Sequence, residues 1–123
     1  MRRERRVRCV APAMRVLLLL FLALLPAAGG QSSSRTFTGI VTDSECAKAD
    51  HSALRMGDTD AECVKACIDY HGASYVLFDG TDTFTLSDQA AGARFAGRKV
   101  TVTGTLDEKG RTITVHAIAP QQG

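Results

Sequence analysis

Two segments near the C-terminus constrain the fold most. Lys99–Leu106 alternates Val100, Val102 and Leu106 with Thr101, Thr103 and Thr105. After Asp107-Glu108-Lys109-Gly110, Thr112–Ala119 returns with Ile113, Val115 and Ala117 in the inward phase, and Pro120 ends it. Period-two alternation rich in β-branched residues, interrupted by a polar turn with glycine, describes a half-buried antiparallel hairpin. Three further segments read the same way. Thr36–Asp43 sets Phe37, Gly39 and Val41 against Thr38, Ile40 and Thr42. Ser74–Asp79 leads through Asp79-Gly80-Thr81-Asp82 into Thr83–Ser87, with Phe84 and Leu86 inward. Ala-rich Asp88–Gly97 predicts a short helix between the third and fourth strands.

About 30 residues separate the first two strands, an insertion over 44–73 that contains no strand pattern. Within it, Thr59 with Glu62 three residues on forms a capping box, and Gly72 is a left-handed helix end. On that helix Ala61, Val64 and Ile68 share one face, Cys63, Cys67 and His71 form an adjoining stripe, and Glu62, Lys65 and Asp69 point away. The Val64/Ile68 side is expected to pack on the strands, with the thiols at the edge of the contact.

The first 30 residues carry Arg2, Arg3, Arg5, Arg6, Arg8 and Arg15, then an apolar run Val16–Leu25, then Ala27, Ala28, Gly29 and Gly30. This is the pattern of a cleaved secretory signal, with Met14 as an alternative start; the apolar run is half of the roughly 20 residues that a spanning helix needs. The expected organisation is therefore a signal over 1–30, a polar tether over 31–35 and one domain over 36–120. From Gln31 on, nine basic residues face twelve acidic ones, a net of −3. An acidic domain does not suit a nucleic-acid partner, whose phosphates need neutralising. Cys9 leaves with the signal, and an odd three thiols remain.

Those three, Cys46, Cys63 and Cys67, lie with His51 inside the insertion. Thiolate and imidazole are the ligands of zinc and, less often here, of copper. One expectation is thus a Cys3His metal site of Cys46, His51, Cys63 and Cys67, with His71 as a substitute ligand. Six acids between 43 and 62, against Lys48 and Arg55, favour a cation there. The alternative is a disulfide from Cys46 to Cys63 or to Cys67, with His51 a surface residue and the domain an envelope module without metal. Cys63 and Cys67 are not expected to pair with each other, because Cβ atoms four apart on a helix are about 6 Å apart and a disulfide needs about 3.8 Å. A thiol oxidoreductase is disfavoured by the three-residue spacing in mid-helix. His116 reads as a solvated strand residue, and Tyr75, Phe78, Phe84 and Phe95 as core or its rim. No Ser-His-Asp pattern, P-loop or dinucleotide motif is present, so no enzyme is expected.

Five strands with a helix between the third and fourth follow the order of an OB-fold, a small Greek-key barrel. The final hairpin is similar to that of small exported bacterial OB-fold domains. The chain also resembles a group of uncharacterised secreted bacterial proteins that share Thr42-Asp43-Ser44-x-Cys46, His51, Cys63-x3-Cys67 and Tyr75-Val76-Leu77. These resemblances imply a mainly β, OB-like domain and carry no activity with them. The signal pattern and the cysteine cluster lead to the expectation of a periplasmic or secreted binding domain for a metal ion, the competing class being an interaction module for an envelope protein or glycan.

Overall fold

The structure, a computed structural model, describes residues 32–123. The expected signal, its alternative start at Met14 and Cys9 lie outside the described residues. Five strands form: β1 (Arg35–Asp43), β2 (Tyr75–Phe78), β3 (Thr83–Leu86), β4 (Lys99–Asp107) and β5 (Thr112–Pro120). The helix of the insertion, α1, spans Asp60–His71, and α2 spans Gln89–Arg94. The chain is mainly β, and its mixed sheet closes in a ring in the order β1-β2-β3-β5-β4, with β4 back on β1. Every pairing is antiparallel except β3 with β5, which is parallel over two residue pairs. Among the described residues, no helix is long and apolar enough to cross a membrane.

Alternation places the core inside the ring. Leu77, Leu86, Val100, Val102 and Ile113 are buried, and Phe37 tilts against Phe84 with ring centroids 5.9 Å apart. The inward phase holds for Phe84, Leu86, Val100, Val102, Leu106 and Ile113, and breaks in β5. Ala117 is exposed, not inward. Gly104 pairs with Val115 while the preceding Thr103 pairs with Ala117, so His116 is an extra residue in the ladder. A bulge of this kind inverts the faces beyond it, and Ile118 rather than Ala117 packs against the core. Gly104 permits the close approach, because a Cβ there would stand 2.3 Å from the Thr114 carbonyl oxygen. His116 itself is exposed, as its surroundings of outward threonines imply.

Helix α1 packs against β1 and roofs the end of that strand. Val64 is fully buried and Ile68 packs beside it. The capping box forms in full: the Glu62 N–H donates to Thr59 Oγ1 at 3.2 Å and the Thr59 N–H to Glu62 Oε2 at 3.0 Å. Gly72 closes the helix at φ +65°, and its N–H donates to the Cys67 carbonyl. Because α1 carries two of the three thiols, Thr59→Ala should loosen them. About 1 kcal/mol of stability should be lost, and hydrogen exchange should quicken over 60–67 before it does in β4 and β5. Equal acceleration across the whole domain would show that the helix is not a separate unit.

Candidate metal centre

The site begins at the last residues of β1. Alternation would expose one of Thr42 and Asp43, yet both are fully buried. The chain turns back at once, and two side chains hold the turn. Asp43 Oδ1 accepts the N–H groups of Glu45 and Cys46, each at 2.9 Å. Thr42 Oγ1 donates to the Cys46 carbonyl at 2.9 Å, which also accepts the Ala49 N–H at 2.8 Å. An Asp reaching forward to the N–H groups two and three residues on is a local turn device. Here it brings Cys46 back over the end of the strand from which it left. The base of the insertion is tied across: the Ser44 N–H donates to the Ser74 carbonyl and the Ser74 N–H to Ser44 Oγ.

The other Asp43 oxygen, Oδ2, is buried without a hydrogen-bond partner. A carboxylate oxygen of Asp43, Cys46 Sγ and Cys67 Sγ all lie within 4.8 Å of one another. Cys67 arrives from mid-α1, fully buried, and Cys46 is 6% exposed. Burial pushes the Cys67 thiol up to about 12, with the charge of Asp43 the next cause and the neighbouring Cys63 and Cys46 behind it. Cys46 is raised for the same leading reasons, burial and then Asp43. Burial and the charge of Asp43 thus hold both thiols in the neutral form, and a cation among them would reverse that.

The four residues expected as ligands divide. Cys46 and Cys67 come together. Cys63 does not join them: its Sγ donates to the Leu54 carbonyl at 3.3 Å and accepts the Met56 N–H at 3.4 Å. Those bonds fasten the loop before α1 to the helix. His51 is 4% exposed, so it is not the surface residue of the disulfide alternative. It stands outside the three-residue group, and its Nδ1 is buried without a partner. His71 is exposed at the end of α1 and takes no part. Among the described residues, Cys46, Cys63 and Cys67 are all free thiols, and no sulfur pair is at bonding distance. Asp43 is the member that the cysteine spacing does not reveal. Its signal was an Asp three residues before a Cys at a strand end, where one carboxylate oxygen serves the turn and the other is left over.

No family model, no curated protein and no solved structure matches the chain.

Proposed function

We propose that this chain is an exported, OB-like binding domain whose insertion holds one divalent metal ion of the zinc type. Asp43, Cys46 and Cys67 are its ligands and His51 is the fourth donor. The strand order, with one parallel contact between β3 and β5 and α2 between β3 and β4, supports the OB-like barrel. The observation that carries the metal is the pair of buried side-chain atoms without partners. Among the described residues these are Asp43 Oδ2 and His51 Nδ1, and both lie within five residues of Cys46. Buried polar atoms are almost always partnered. A metal ion would accept donation from the carboxylate beside the two thiols, and His51, outside that 4.8 Å group, would turn toward it to complete the set.

The donor set narrows the ion. Two thiolates alone suit monovalent copper, but a hard carboxylate favours a borderline divalent ion such as zinc. Burial of every donor describes a closed site that orders the insertion rather than one that activates substrate, so the role is binding and not catalysis. The mild acidity of the domain disfavours nucleic acid as a larger partner.

Native mass spectrometry after incubation with zinc and dialysis tests this. The expected result is one zinc per chain, removable by chelator, and none in Cys46→Ser or Cys67→Ser. Wild-type protein that emerges without metal, its thiols all reactive on unfolding, would sink the proposal.

A further inference from the structure

We propose that Cys46 and Cys67 are a metal-protected dithiol, which closes into one specific disulfide when the ion is removed and a peroxide oxidant is present. This rests on the metal site above and assigns its redox regulation. Among the described residues, three thiols allow three pairings, and the geometry leaves one. The Cys46 and Cys67 sulfurs lie within 4.8 Å of each other. Cys63 is turned toward the Leu54 carbonyl and the Met56 N–H. Its place four residues before Cys67 on a regular helix forbids their bridging. The metal and the disulfide therefore compete for the same two sulfurs, and Cys63 stays reduced in either state.

Cys46 is the less buried of the pair and meets the oxidant first. Its sulfur attacks one peroxide oxygen. The O–O bond breaks, a sulfenic acid forms, and the departing hydroxide takes the proton given up by the Cys46 thiol to become water. Cys67 sulfur then attacks the Cys46 sulfur. The S–O bond breaks, the second oxygen leaves as water with the proton given up by the Cys67 thiol, and the two electrons lost by the thiols reside on the former peroxide. The product ties the turn after β1 to the middle of α1, where the ion had joined them. A bound ion withholds both sulfur lone pairs and blocks the first attack.

The test treats zinc-loaded and chelator-stripped full-length Cys9→Ser protein, which holds the three thiols alone, with hydrogen peroxide. Each sample is then unfolded with chelator, alkylated and mapped by peptide mass spectrometry. In stripped protein the expected product is a Cys46–Cys67 linked peptide with Cys63 alkylated. In loaded protein the same link should form at least about tenfold more slowly, because the ligand sulfurs are shielded. Cys63→Ser should leave the stripped protein's result unchanged. A predominant link to Cys63, or oxidation of Cys46 to sulfinic acid without a link, would overturn the proposal. Zinc content measured before oxidation separates the two ideas. Protein that takes up no zinc overturns the metal site itself, whereas zinc-loaded protein that oxidises as fast as stripped protein overturns only its protective role.

Discussion

Asp43→Asn should raise the stability of the metal-free protein and at the same time abolish its metal binding. Asn is the same shape and keeps an oxygen to accept the Glu45 and Cys46 N–H groups, so the turn that carries Cys46 survives. What changes is the second atom. In the metal-free wild type, Oδ2 is buried without a partner beside two thiols. An orphaned buried acceptor costs about 1–3 kcal/mol, and an amide NH2 in its place can donate to sulfur. Metal-free Asp43→Asn should therefore be about 1 kcal/mol more stable than wild type, while zinc affinity falls at least about 100-fold. Asp43→Ala behaves differently. It removes the acceptor as well, leaves the buried Cys46 N–H unpaired, and should cost about 1–3 kcal/mol with or without zinc. Denaturant titrations of the three proteins, each with zinc and with chelator, give the full comparison. Metal-free Asp43→Asn as destabilised as Asp43→Ala would mean that the carboxylate serves the turn alone.

Zinc itself should produce the largest shift. An ion that binds the folded chain and not the unfolded one adds about 2.7 kcal/mol at 100 times its dissociation constant. For a domain of this size each kcal/mol moves the thermal midpoint by about 4–8 °C, so saturation should raise it by about 10–20 °C. The gain should be local in origin. Cys46 and Asp43 lie at the start of the insertion and Cys67 in its helix, so the ion joins two ends of a segment that is otherwise tied at its base by Ser44 and Ser74. Hydrogen exchange should slow most between residues 44 and 71 and least in the β4–β5 hairpin. His51→Ala should remove most of the zinc-dependent rise, and because His51 is buried it should also lower the metal-free midpoint, so the two effects are read separately with and without zinc. A rise equal in wild type and His51→Ala would exclude the imidazole as fourth donor.

What could be read in the sequence was what local physics decides. The alternation of Lys99–Leu106 and the capping box of Thr59 and Glu62 depend on neighbours a few residues away, and both appear as expected. The β5 bulge was not legible, since nothing near His116 marks an extra residue. Its cause lies on the facing strand, in the space that Gly104 leaves. The same limit applied at the site. Helical periodicity correctly put Cys63 and Cys67 on one stripe, but periodicity cannot say which of two neighbours on a stripe faces the strands and which faces the incoming loop. Packing decided that: the segment Leu54–Met56 folds over Cys63, and the end of β1 delivers Asp43 to Cys67. Asp43 was visible as one acid among six and as the last residue of a strand. Its burial follows only from the chain turning back over it.

X-ray absorption at the zinc edge of the loaded protein is the most direct test of the site. Asp43, Cys46, Cys67 and His51 predict a four-coordinate shell of two sulfurs at about 2.3 Å and two nitrogen or oxygen atoms at about 2.0–2.2 Å. Three sulfurs with one nitrogen would return Cys63 to the site and displace Asp43. A shell of oxygen and nitrogen alone would contradict the account altogether, because the ion would then sit away from the two thiols that the fold brings together.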